Sequence, residues 1–203
     1  GSLEEDRALL RANVLMARGK YAEAIKVLDA LAKGPNASSY VRYNLGVALV
    51  RSGDLTRGTT LLDEVGKLPA TSEEYRSLRD KANVALGFAS LQEGRGAQAR
   101  TYLERVRLSG MFSNKALLGF GWAAAAQGRM NVALVPWSEL AARDASDAAV
   151  LEAKLAVPYA LAELGAEAQA LSLFEDAIGV FDHETANLDE SVAAIRDGKL
   201  LDG

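Results

Sequence analysis

The chain has one histidine, His183, and no cysteine, and that alone removes most of the side-chain chemistry a protein of this size could perform. Thiol catalysis, disulfides and cysteine-ligated zinc are excluded together. A lone imidazole builds neither a metal site nor a catalytic triad without partners, and His183, in the acidic C-terminal stretch, reads as a solvated helix residue. The carboxylates offer no more. Glu4-Glu5-Asp6, Glu73-Glu74 and Asp189-Glu190 are adjacent in sequence, and on a helix neighbours diverge by about 100° and do not converge on a substrate. Gly94-Arg95-Gly96 lacks the strand and the lysine of a phosphate loop. With a pI near 5.2 and no basic stripe interleaved with aromatics, phosphate recognition has no electrostatic footprint. No enzyme, metal or cofactor is therefore expected, and nucleic acid is not an expected partner.

Composition leaves a folded protein. Of the 203 residues, 49% are hydrophobic and 25% charged, enough to bury a core and unlike the low hydrophobicity of disorder. No apolar run reaches the roughly 18 to 20 residues needed to span a bilayer. Gly1-Ser2 reads as a cloning remnant, and Leu3 begins mid-pattern, so the chain is read as a fragment of something longer. Freedom from cysteine leans towards the bacterial periplasm over the cytoplasm without fixing the compartment.

The elements that would position any binding residues are set by five glycines. Gly19, Gly53, Gly94, Gly128 and Gly165 recur at spacings of 34, 41, 34 and 37 residues. Each stands between two helical patterns, where a tight hairpin needs the left-handed backbone that glycine adopts without strain. Small residues lie seven positions before most of these turns (Ala12, Gly46, Gly87, Gly121) and five after each (Ala24, Gly58, Ala99, Ala133, Ala170). Large ones follow four positions later, at Leu28, Leu62, Leu103, Trp137 and Phe174. Alternating small and large side chains lets paired helices interdigitate.

These features resemble the tetratricopeptide repeat family. The likeness is carried by Tyr43-Asn44-Leu45-Gly46, Ala85-Leu86-Gly87, Gly119-Phe120-Gly121 and the run Gly19-Lys20-Tyr21-Ala22-Glu23-Ala24-Ile25, with Pro35 and Pro69 near the ends of second helices. The resemblance implies an all-α, right-handed superhelical solenoid of antiparallel helix pairs. It would form a single domain over 3–203, with repeats at about 5–36, 37–70, 71–112, 113–145 and 146–182 and a helical extension at 183–198. It also implies a role in protein–protein interaction and assembly.

Three departures from a regular repeat stand out. The 41-residue interval carries Thr71-Ser72-Glu73-Glu74, read as a capping box between Thr71 and Glu74 that starts a long helix over about 72–93. Pro136 and Pro158 fall inside helices and should kink them, as a packing adjustment or as a bend that shapes a ligand pocket. Beyond the fifth turn, Leu171, Phe174, Ile178, Phe181, Thr185, Leu188, Val192 and Ile195 alternate three and four residues apart. That heptad stripe predicts one helix over 167–197. Residues 163–203 carry ten acidic and two basic side chains, a net of −8, against +4 for residues 1–162. The acids either solvate the outer face of that helix or complement a basic surface such as Arg95, Arg100, Arg105 and Arg107.

Projecting the family's groove-facing positions onto this chain gives Leu9, Asn13, Met16, Tyr40, Tyr43, Val47, Val50, Lys81, Val84, Phe88, Leu91, Lys115, Leu118, Trp122, Leu155 and Tyr159. The set is mostly apolar or aromatic and suits an amphipathic helix or an extended apolar segment of a protein partner. Its polar members Asn13, Lys81 and Lys115 are scattered over three units, which disfavours a clamp for a chaperone's C-terminal carboxylate. Tyr43, Phe88 and Trp122 are either groove anchors or core between helices. The expected function is a non-enzymatic scaffold that holds a peptide or helix. The alternative is a homodimer formed through Leu188, Val192 and Ile195.

Overall fold

The computed structural model describes residues 3–34 and 37–196. Among the described residues it is all-helical, with α1 Leu3–Ala17, α2 Tyr21–Ala32, α3 Ser39–Ser52, α4 Leu55–Gly66, α5 Glu73–Gln92, α6 Gly96–Leu103, α7 Ser113–Ala126, α8 Met130–Ala141, α9 Ala148–Glu163 and α10 Glu167–Arg196. Pro35 and the side chain of Ile195 lie outside the described residues. The chain packs as two compact units, Gly1–Gly119 and Phe120–Gly203, with the division falling inside α7.

All five hairpin glycines have positive φ, from 71° to 96°, and no other described residue does. Each hairpin closes with the same pair of bonds. At the first, the Gly19 N–H donates to Met16 O and the Lys20 N–H to Leu15 O; at the last, Gly165 donates to Ala162 O and Ala166 to Leu161 O. That pair terminates a helix only when its left-handed residue is unhindered, which is why glycine recurs there. The residue after each glycine already precedes the next helix, so no loop intervenes. Elsewhere short polar side chains start the helices. Ser38, Asp54, Ser72 and Asp147 accept N–H bonds from Val41, Arg57, Tyr75 and Ala149, each satisfying an amide the helix leaves open.

The cap of α5 differs from the expected one. Ser72, and not Thr71, caps it, while the Glu74 carboxylate accepts a bond from Tyr40 on α3 at 2.6 Å. A tertiary partner outcompetes the local box. The helix itself runs 73–92, close to the expected span, and α10 runs 167–196. Helices α8 and α9 continue through Pro136 and Pro158.

In the first unit α1 packs on α2 and α3, α2 on α3, α3 on α4 and α5, α4 on α5, and α5 on α6. One core joins Ala12, Leu28, Val41, Leu45, Ala48 and Leu49; a second joins Tyr43, Leu62, Val65, Leu78, Ala82 and Leu86. In the second unit α9 packs against both α8 and α10 around the fully buried Trp137 and Val150 and a run of buried alanines. The small/large alternation is the packing code. A Cβ at Gly46 would come within 2.8 Å of Leu62, one at Gly87 within 2.7 Å of Leu103, and one at Gly121 would overlap the Trp137 ring.

Candidate functional site

Three helices of the first unit turn one face each into a cleft of about 680 Å³. From α3 come Tyr40, Tyr43, Asn44, Val47 and Arg51, at i, i+3, i+4, i+7 and i+11, the spacing that keeps side chains on one helical face. From α5 come Glu74, Ser77, Leu78 and Lys81 at the same period, and from α1 Asn13 and Met16. Met111 and Phe112, in the connection between α6 and α7, close one end.

The lining is divided by polarity. Tyr43 and Leu78 are buried members of the second core, so the floor of the cleft is the core itself, and Met16 and Val47 extend it. Charge sits at the rim. The Lys81 ammonium stands 5.0 Å from the centroid of the Tyr43 ring, a cation over a π face. Neither Lys81 nor Arg51 forms an ion pair among the described residues, whereas the one acid of the rim, Glu74, is engaged by the Tyr40 hydroxyl. Burial, reinforced by that bond to Glu74, pushes the Tyr40 phenol up to about 12. Burial alone carries Tyr43 up to about 12, against the opposing charge of Arg51. Both phenols are thus neutral donors at physiological pH, and the unpaired charge offered to a ligand is positive.

Of the residues singled out in the sequence, Asn13, Met16, Tyr40, Tyr43, Val47 and Lys81 meet in this cleft. Phe88 joins Tyr43 and Val47 in an adjoining cavity of about 210 Å³. Leu9 packs against the first core; Leu91 is half-buried and Lys115 exposed, and neither lines these cavities. In the second unit Trp122 is half-buried with its ring edge-on to Trp137, centroids 4.9 Å apart, and Tyr159 is exposed on α9. Leu188 and Val192 are exposed on α10.

Two expectations need correction. The polar groups are less scattered than the sequence suggests, because Asn13 and Lys81 share the cleft with Asn44, Arg51 and Ser77. Asn44 and Arg51 were legible as members of the Tyr40, Tyr43, Val47 face, four and eleven residues on from Tyr40. Met111 and Phe112 carried no such signal, since they lie outside any helix. The second correction concerns the arginines proposed as a basic surface. Arg95 pairs with Glu93, Arg100 with Glu104, Arg105 with Asp63, and Arg107 with Asp80 and Glu73. They are neutralised where they stand. Hydrogen bonds from Lys67 and Arg105 overcome the burial of Asp63 and hold its carboxyl below the usual range.

The second unit has a separate cavity of about 320 Å³ among α8, α9 and α10, lined by Ala141, Pro158, Leu173, Ala177 and Val180. At its rim the Lys154 ammonium donates to the Ala141 carbonyl at 2.9 Å, at the end of α8. Among the described residues no group of three or more His, Cys, Asp or Glu side chains is placed to hold a metal, and no helix is long and apolar enough to cross a membrane.

Residues 15–82 match a family model described as Tetratricopeptide repeat. That segment carries the tetratricopeptide repeat pattern. No curated protein matches it, but solved structures extend the likeness beyond the matched segment. MamA (residues 41 to the end) from Desulfovibrio magneticus RS-1 is 16% identical, with a TM-score of 0.71 over 90% of this chain and 97% of that one. MamA of MSR-1 is 21% identical, with a TM-score of 0.64 over 88% and 95%. A putative kinesin light chain of nearly identical TPR-like repeats from Podosopora anserina is 16% identical, at 0.68 over 86% and 93%. At these identities the likeness is one of fold. The matched segment 15–82 supplies α2, α3 and α4 whole, and with them the α3 face of the cleft.

Proposed function

We propose that this chain is a non-enzymatic scaffold whose α1/α3/α5 cleft holds a short segment of another protein, presenting an apolar face and at least one carboxylate. The observation that carries the reading is the composition of the cleft. Its apolar floor is continuous with the core, so it is rigid before anything binds, and preorganisation lowers the entropic cost of association. Its rim holds Arg51 and Lys81 without acidic partners. Tyrosine and arginine are the side chains that most often anchor interfaces. Asn13 and Asn44 add neutral donors and acceptors that would fix the segment's register. The same composition argues against catalysis, since the two shifted phenols are shifted towards inertness. It also argues against nucleic acid, because two rim cations make a short patch and not a track.

A displayed library of random peptides selected on the whole chain tests the reading. Selected sequences should be enriched in large apolar residues and in Asp or Glu, and their affinity should fall at least tenfold for Arg51→Glu and Lys81→Glu proteins that keep the parent circular dichroism. Peptides that bind both variants as tightly as the parent would exclude the cleft as the site.

A further inference from the structure

The face that α10 turns away from its own unit has the layout of half a coiled coil. Leu171, Ile178, Leu188 and Val192 are 61%, 59%, 64% and 48% exposed, with Phe174 and Phe181 half-buried beside them. In heptad terms Leu171, Ile178, Thr185 and Val192 fall at a, and Phe174, Phe181 and Leu188 at d. The residues buried against α9 lie one step round the helix, at g, where Ala170 and Ala177 allow close approach. The opposite flank, position e, reads Glu175, Asp182 and Asp189 before the row ends at Arg196. None of these three acids forms an ion pair among the described residues.

Flanking charges choose the partner of a coiled-coil seam. A second copy of α10 is a poor match in either direction. Antiparallel, like flanks meet, and in the register centred on Asp182 the acids Glu175, Asp182 and Asp189 would face the same three acids. Parallel, the e flank of one helix must meet the g flank of the other, and Ala170 and Ala177 are already covered by α9. We propose that the exposed face of α10 docks an amphipathic helix of a different protein, one with a heptad apolar seam and Lys or Arg along the flank that meets Glu175, Asp182 and Asp189. This site is independent of the cleft in the first unit, on different helices and with the opposite charge.

The test uses four-heptad synthetic peptides with leucine at a and d and either lysine or glutamate at e and g, titrated into the whole chain by fluorescence anisotropy, with a sequence-scrambled lysine peptide as control. The lysine peptide should bind at least tenfold more tightly than the glutamate and scrambled ones, with the margin shrinking as salt screens the flanks. Leu188→Glu with Val192→Glu should weaken it tenfold or more. A Glu175→Lys, Asp182→Lys, Asp189→Lys protein should reverse the preference. All these positions are exposed, so circular dichroism should be unchanged. The proposal is overturned if lysine and glutamate peptides bind alike, if the scrambled peptide binds as well as the ordered one, if the reversed protein keeps the parent's preference, or if light scattering finds a dimer that Leu188→Glu abolishes, which would make a second copy the occupant.

Discussion

Asp80, fully buried on α5, accepts a hydrogen bond from Arg107 Nε at 2.7 Å and another from the Arg107 backbone N–H at 3.3 Å. Arg107 reaches on through Nη1 to Glu73 at 2.9 Å. Bonds to Glu73 and Asp80, outweighing its partial desolvation, hold the guanidinium charged well above its ordinary range. The pair ties the connection after α6 to the body of α5, four residues before Met111 enters the cleft. A buried carboxylate that loses its cation costs about 3–5 kcal/mol. Arg107→Ala should therefore lower unfolding free energy by about 3 kcal/mol in urea, the low end because the backbone bond survives. The same variant should shift the Met111 methyl resonance by freeing the connection. An unchanged urea midpoint would show that the pair contributes nothing net to stability.

Glycine serves two physical purposes here, and one substitution at each separates them. Gly128 sits at φ 71° with open space where a Cβ would go, so Gly128→Ala should cost about 1 kcal/mol of backbone strain. Gly121 is helical, and its Cβ would enter the Trp137 ring; Gly121→Ala should cost about 3 kcal/mol, because a fully buried indole has nowhere to move. Denaturation of both variants checks the order. A second substitution, Trp137→Leu, should recover part of the loss at Gly121 and none at Gly128.

The burial of Tyr40, reinforced by its bond to Glu74, sets a pH dependence. The folded Tyr40 phenol keeps its proton up to about 12, against 10.0 when free. Folding therefore binds a proton between those values, so the contribution is complete below pH 10 and lost as pH rises towards 12. Tyrosinate absorbance should show two late-ionising phenols, Tyr40 and Tyr43, of which one disappears in Tyr40→Phe, and that variant's urea midpoint should fall less steeply over the same interval. Titration curves that superimpose for parent and variant would contradict the assignment.

Much of this fold is written in its glycines, because a left-handed helix end and a helix contact too close for a methyl group are demands that few other residues meet. Gly53 and Gly121 could be assigned to those two demands from position alone. The α10 stripe was equally legible as a helix but not as a packing face. Leu171 and Ile178 look like the buried line, yet Ala170 and Ala177 are buried instead, since small residues let α9 approach closely and leave the large ones outside. The cleft was legible as far as helical period carries, through Tyr40, Tyr43, Val47 and Lys81. What the sequence concealed depends on partners distant along the chain. Thr71 and Ser72 are equivalent caps until Tyr40 takes Glu74, and Arg105 and Arg107 look like surface charge until Asp63 and Asp80 are folded against them.

The far end of α10 should be dispensable for folding. Helix α9 has 16 residues and α10 has 30, which at 1.5 Å per residue are about 24 and 45 Å long. Since α10 packs on α9, about 20 Å of α10 projects beyond it, and residues 185–193 are exposed throughout. Ending the chain after Asp182 keeps Ala170 and Ala177, the residues that bury against α9, and should change unfolding free energy by no more than about 0.5 kcal/mol. Ending it after Ala166 removes both, uncovers α9 and should unfold the α8–α10 unit, because a repeat's inner helix needs a covering helix to keep its apolar face from water. The shorter of these truncations must also abolish binding of a basic heptad peptide if Leu188 and Val192 hold half of the seam. A protein ending at Asp182 that unfolds more than 2 kcal/mol more easily, on the scale of a lost core contact, would show that the projecting half is part of the fold and not a surface reserved for a partner.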